Sequence, residues 1–217
     1  MSGPGSQYRL PAGSAWGDVD SPVGPMGAVV TPQGLLRLTF GPLASFADEL
    51  GTAARDTDSV ADSGQSDPGR DLSSQARSPQ RPSSQTLSVQ PAPLLEHEIG
   101  ALISRELQAY FAGTLTEFTV PVDWSLTSGV QRSILSTLHA RIRYGDTVGY
   151  GDLALLSGRT IGASRLVGTV MGSNPIVIVV PCHRVIAAGG GIGGFGGGLE
   201  TKRRLLTLEG SLQPTLF

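Results

Sequence analysis

Ile176-Val177-Ile178-Val179-Val180-Pro181-Cys182-His183-Arg184-Val185 is the stretch on which the reading of this chain turns. An unbroken apolar run of β-branched residues, too short for a buried helix, predicts a strand covered on both faces. Pro181 has no N–H to continue a ladder, so the chain's single cysteine, Cys182, is expected in a turn at the end of a rigid element. A lone cysteine is most often a small buried hydrophobe. The neighbours argue otherwise here, because proline, histidine and arginine are poor core formers, whereas a base or a cation beside a thiol favours the thiolate. Cys182 with His183 is the candidate chemical centre.

Downstream, Gly189 to Gly198 is dense in glycine and contains a Gly-x-Gly-x-x-Gly match with Glu209 twenty residues beyond it. A dinucleotide fingerprint also needs a second parallel strand ending near the acidic residue, and Leu199 to Leu208 reads as one helix instead. The stretch is expected to be a mobile flap over the cysteine, anchored by Leu199, Leu205, Leu206 and Leu208 of that helix.

Upstream, Tyr150 to Leu156 and Ile161 to Met171 read as two short helices separated by the turn residues Ser157-Gly158-Arg159-Thr160, the outline of a helix-turn-helix. The second carries Gly162, Ala163, Ser164, Gly168 and Gly172 around one arginine, Arg165. A glycine costs a helix about 1 kcal/mol relative to alanine, so something must approach this backbone closely. Another helix and a nucleic acid satisfy that equally. Before this unit, Ser128-Gly129-Val130-Gln131 resembles an N-cap with a capping box, opening a helix whose buried stripe is Val130, Ile134, Leu135 and Leu138.

In the first half, Trp16 to Val19, Met26 to Val30 and Leu35 to Phe40 are short apolar runs separated by turn residues, the pattern of an antiparallel meander. Gly51 to Pro93 offers too little apolar surface to offset the entropy of ordering and reads as a disordered insertion. Ile99, Leu102, Ile103, Leu107, Tyr110 and Phe111 then recur at helical spacing up to Gly113, and Phe118 to Val122 looks like a short strand. The expected class is α+β. It comprises a disordered N-terminus over 1–14, an N-terminal sheet domain with an accessory helix over 15–121 interrupted at about 51–93, and a mainly helical domain over 122–217 that carries the cysteine.

Residues 1–122 hold 7 Lys+Arg against 13 Asp+Glu, and residues 123–217 hold 9 against 5. An acidic half joined to a basic half hints that the second half meets a polyanion. Eight of its nine cations are arginines, suited to phosphate forks and stacking. One cysteine precludes an internal disulfide or a cysteine-based zinc cluster, and His97, His139 and His183 have no ligand spacing, so neither metal nor cofactor is expected. The sequence shows no signal peptide and no apolar run of membrane length, and a cytoplasmic monomer is the expectation.

Tyr150, Arg165, Asn174-Pro175, Pro181-Cys182-His183-Arg184-Val185, Gly197-Gly198-Leu199 and Glu209-Gly210 together resemble the O6-alkylguanine-DNA alkyltransferases over about the last ninety residues, and Asp20-Ser21-Pro22-Val23-Gly24-Pro25 is similar to the start of that family's N-terminal domain. The resemblance implies that Cys182 is the alkyl acceptor, His183 the base that takes its proton through a water, Glu209 the carboxylate orienting the histidine, and Asn174 the residue tying the turn beneath the sulfur. It further implies that Arg165 fills the space left by an extruded nucleotide, with Ala163 and Gly168 beside it on the DNA, and that Tyr150 assists the rotation and meets the base. Met171, Val185, Phe195 and Gly196 would form the substrate pocket.

The implied partner is double-stranded DNA containing O6-alkylguanine, with O4-alkylthymine accepted less readily. A thiol inside a protein cannot reach O6 within a duplex, so the nucleotide must rotate out. Three positions depart from the family's usual pattern: Phe195 where tyrosine is frequent, Gly196 where serine is frequent, and Ser173 near a common basic residue. Two other readings fit parts of the sequence. A helix-turn-helix damage sensor needs no thiol, and a cysteine hydrolase would turn over repeatedly.

Overall fold

The three apolar runs of the first half do form a meander in the computed structural model, which describes residues 10–45 and 92–213. Strand β1 (Ala15–Val19) pairs antiparallel with β2 (Met26–Thr31), and β2 with β3 (Gly34–Phe40). Gly34 has φ 151°, and a Cβ there would run into the carbonyl of Pro121, so glycine is required where the turn meets the second half of the chain. A two-residue strand, β4 (Ala92–Pro93), joins parallel to β1 and makes the order β3-β2-β1-β4.

These two residues were expected inside the insertion and are paired instead. The remainder of that expectation, 51–91, lies outside the described residues, as does 1–9 of the expected disordered N-terminus. Ser14, also expected as disordered, is buried and donates to the Pro11 carbonyl at 2.7 Å.

Helix α1 (Glu98–Phe111) packs on the sheet through Ile103, Leu107 and Tyr110. His97 caps it, its Nδ1 accepting from the Ile99 N–H at 3.2 Å. The strand expected over 118–122 reduces to one bridge between Val122 and Leu35. Backbone partners for this segment come from a buried side chain: the Glu106 carboxylate accepts from the N–H groups of Thr119 and Val120.

Helices α2 (Gly129–Arg141), α3 (Tyr150–Leu156) and α4 (Ser164–Gly172) pack against one another, the last two forming the expected helix-turn-helix. Its second helix begins later than the sequence suggested, because Ile161–Ala163 winds as a tight 3-10 turn. The capping box is absent. Ser128 makes no side-chain bond, Val130 is 43% exposed, and Gln131 donates to the carbonyl and hydroxyl oxygens of Ser173 at 3.1 and 3.0 Å.

The largest departure is the stretch from Ile176 to Val180. It is buried, apart from half-exposed Val177, but it is a compact turn and not a strand: only Ile176 bridges, to Leu38 of β3. The Val179 N–H donates to Val177 O at 2.8 Å, and the Val180 N–H to Ile176 O at 3.0 Å. Ile178 sits at φ 69°, a left-handed conformation strained for a β-branched residue. Asn174 overrides strand propensity by satisfying the backbone locally. Its Oδ1 accepts from the Ile176 N–H at 3.0 Å, and its Nδ2 donates to Val180 O at 2.8 Å.

One apolar cluster runs from Ala15 and Leu38 through Leu107 and Ile134 to Val180 and Leu205. The outer edge of β3 binds the second half of the chain at two places. Leu35 exchanges backbone hydrogen bonds with Pro121 and Asp123, and Leu38 with Pro175 and Val177. That edge therefore holds the turn that delivers Cys182.

Candidate active site

Cys182 opens a 3-10 turn, Cys182–Arg184, clamped on both sides. Before it lies the Asn174-bound turn; after it, β6 (Val185–Ile186) pairs parallel with β5 (Val148–Gly149). Helix α5 (Leu199–Leu208) then brings Lys202 and, at its C-terminal cap, Glu209 against the same turn. Leu205 and Leu206 anchor this helix as expected, whereas Leu199 is 44% exposed and anchors nothing.

Glu209 is the electrostatic hub. Its Oε1 accepts from His183 Nε2 at 2.9 Å, from Tyr110 OH at 2.7 Å and from Arg184 Nη2 at 3.0 Å, and its Oε2 accepts from Arg184 Nε at 2.8 Å. Burial alone would raise this carboxyl. The hydrogen bonds and charges of His183 and Arg184 outweigh that and lower it to about 2. Tyr110 is driven up by burial and by the adjacent carboxylate, so it stays a donor.

An ionised Glu209 can only accept, which fixes the His183 tautomer with the proton on Nε2. Burial lowers the imidazole's affinity for a second proton more than Glu209 raises it. Its Nδ1 is buried and has no hydrogen-bond partner among the described residues. His183 is thus a neutral base with one free lone pair.

The thiol is neutral as well. Burial pushes Cys182 up, against the opposing effects of a hydrogen bond from Asn174 Nδ2 at 3.2 Å and the charge of Lys202. Burial therefore outweighs the neighbouring base and cations, which were expected to favour the thiolate. Lys202 is itself fully buried; burial lowers its ammonium, which donates to Val185 O at 2.6 Å and to Gly194 O at 3.4 Å.

A cavity of about 530 Å³ opens onto Cys182 and is lined by Met171, Asn174, Phe195 and Gly196 from the expected site, with Thr39 and Phe40 from β3. Val185, expected in that pocket, is fully buried behind the cysteine and does not line it. A neighbouring cavity of about 600 Å³ gathers Tyr150, Arg165 and Gly168 with Gly193 and Gly194. Gly168 faces the Tyr150 ring, Arg165 is exposed, and Ala163 lies half-buried in the turn before α4.

Residues 129–211 match the family model described as "6-O-methylguanine DNA methyltransferase, DNA binding domain". A methylated-DNA–protein-cysteine methyltransferase of Mycobacterium tuberculosis (strain ATCC 25618 / H37Rv) is 50% identical over 115 residues, covering 52% of this chain and 68% of that protein. The chain belongs to the methylated-DNA–protein-cysteine methyltransferase family. A family member from Methanosarcina acetivorans is 47% identical over 111 residues, covering 50% of this chain and 67% of its own. The crystal structure of the M. tuberculosis O6-methylguanine methyltransferase superposes with a TM-score of 0.62 at 31% identity, over 93% of this chain and 96% of that one. The M. tuberculosis protein in complex with DNA gives 0.61 at 32%, over 91% and 93%. The resemblance and the α+β class read from the sequence both stand.

Three members of this candidate site are missed by sequence reasoning. Arg184 reads only as part of the cysteine motif, Tyr110 as one apolar position of a helix, and Lys202 as one residue among others of the last helix. Tyr110 and Glu209 are 99 residues apart, and nothing local marks them as partners. The available signal was electrostatic: a carboxylate that serves a buried histidine needs further donors, and the arginine next to that histidine was the nearest candidate.

Proposed function

We propose that this protein reverses alkylation damage in DNA by moving the alkyl group from O6 of guanine onto Cys182, once per molecule. The observation that carries the proposal is a buried thiol lining a cavity, next in sequence to a neutral, Glu209-oriented His183 and beside a helix-turn-helix bearing an exposed arginine.

In the reaction, the Cys182 proton passes through a bridging water to the free Nδ1 of His183 as sulfur attacks the alkyl carbon. The S–C bond forms, the C–O6 bond breaks, and its electron pair stays on the purine, which takes up a proton to become guanine. Imidazolium forms beside ionised Glu209, but Arg184 already offsets part of that carboxylate, so the proton is held only weakly. Asn174 hydrogen-bonds sulfur and keeps it aimed into the cavity, and the Lys202 charge favours the developing thiolate. The product thioether has no ready leaving group, so the sulfur is spent.

The substrate is an extruded nucleotide in double-stranded DNA. Arg165 takes the vacated place in the stack, Tyr150 meets the rotated base, Ala163 and Gly168 let α4 approach the duplex, and Met171, Phe195 and Gly196 surround the alkylated base. The chain needs no cofactor for this transfer, acts as a monomer in the cytoplasm, and takes O4-alkylthymine more slowly.

Digestion after incubation with an O6-methylguanine duplex tests the assignment. The Cys182 peptide should gain one methyl group, and Cys182→Ser should retain DNA affinity without transfer, since a hydroxyl is a far weaker nucleophile near neutral pH. Methyl found on another residue, or full transfer by the serine variant, contradicts it.

A further inference from the structure

Phe40, in the first half of the chain, stands against the loop that covers the cysteine. Its ring meets Phe195 edge-on, with centroids 5.6 Å apart. Gly197 is wedged between them: a Cβ there would lie 2.6 Å from Cδ2 and Cε2 of Phe40 and 2.9 Å from Cε1 of Phe195. All three residues line the cavity that opens onto Cys182.

Strand β3, which ends at Phe40, is fixed at its other contact to the floor of that cavity. The Leu38 N–H donates to Pro175 O and the Val177 N–H to Leu38 O, both at 2.9 Å, within the turn that Asn174 closes beneath the sulfur. One residue, Thr39, separates the strand's grip on the floor from its grip on the roof. The distance between Cys182 and the aromatic wall is therefore set by β3.

From this geometry we infer that Phe40 is a specificity-determining residue for the transfer, positioning Phe195 and so fixing how large an alkyl group the cavity admits. The inference rests on the proposed transfer to Cys182. With Phe40 in place, Phe195 cannot retreat toward the sheet, and a bulky group must fit against a fixed wall. The contact Phe40 makes across the cavity is with Phe195, and its influence runs through that ring.

The test compares two duplexes of one sequence, carrying O6-methylguanine or O6-benzylguanine, so that DNA binding cancels in the ratio of single-turnover rate constants. Phe40→Ala and the milder Phe40→Leu should raise the benzyl-to-methyl ratio, by about tenfold for alanine, the scale on which a pocket discriminates one or two carbons. Gly197→Ala should lower it, because the added methyl drives Phe195 into the cavity. Phe40→Tyr, which keeps the ring, should restore the wild-type ratio.

Ratios that stay within about twofold of the wild type while both rates fall together would reduce Phe40 to a packing residue and overturn the inference. If alanine at position 40 unfolds the protein, the leucine and Gly197 variants carry the same comparison. Failure of the wild type to react with either duplex would instead strike the proposed transfer itself.

Discussion

Glu209 receives donors from His183, Arg184 and Tyr110 and stays ionised, whereas burial keeps both halves of the Cys182–His183 pair uncharged at rest. In the proposed reaction the thiol ionises only as His183 Nδ1 takes its proton. His183→Ala should therefore slow the single turnover by about 10²-fold, the lower end of what a positioned general base contributes. Raising the pH should recover part of that loss by forming thiolate without the base, and a pH–rate profile measures both.

Stability should fall with acid by the same chemistry. Unfolded Glu209 takes a proton near 4.5 and the folded carboxyl only near about 2, so its contribution is complete above pH 4.5 and is lost as pH falls from there through 2. A difference of that size is worth on the order of 3 kcal/mol. Folded His183 is also depressed, from 6.5, so its own contribution begins to fade below that pH. Denaturation curves across this range should show the Glu209 part vanish in Glu209→Gln, with a loss of about 3–5 kcal/mol at neutral pH from leaving Arg184 buried without its partner.

Among the elements, the turn from Asn174 to Val180 is where local sequence and tertiary structure disagree most. β-Branched runs favour strands because of how they pack on a pleated surface, and nothing in Ile176 to Val180 advertises a residue at φ 69°. The signal lay one position before Pro175, in an asparagine able to satisfy the backbone groups that a strand would have paired. Asn174→Ala should cost about 1–3 kcal/mol in chemical denaturation, since it leaves the buried Ile176 N–H without its side-chain partner and the Val180 carbonyl with the Cys182 N–H alone. It should also slow transfer, because the sulfur loses its own donor. The helix-turn-helix, by contrast, was legible from apolar spacing and its glycine-bearing turn. Arg165→Ala tests its proposed role: repair of duplex substrate should slow about 10²-fold or more while reaction with free O6-benzylguanine is nearly unchanged, because the arginine replaces an extruded nucleotide and does not activate sulfur. Equal slowing of both would give Arg165 a structural part only.

At the scale of the whole molecule, the meander, the helices and the cysteine motif could be read from periodicity and turn residues, whereas their assembly could not. The edge of β3 pairs with segments roughly ninety and one hundred and forty residues further on, through backbone groups that every residue type carries. Tyr110 likewise ties α1 to Glu209 across the fold. The sulfur and its base are neighbours in the chain, but the carboxylate that orients the base and the cavity wall come from separate parts of it, while the proposed single-use chemistry resides in one atom. Guanine restored per protein molecule, followed to completion with alkylated duplex in excess, measures that chemistry most directly. The account predicts a plateau at one equivalent, with no further repair on adding more duplex; continued turnover beyond one equivalent, or none at all, would contradict it.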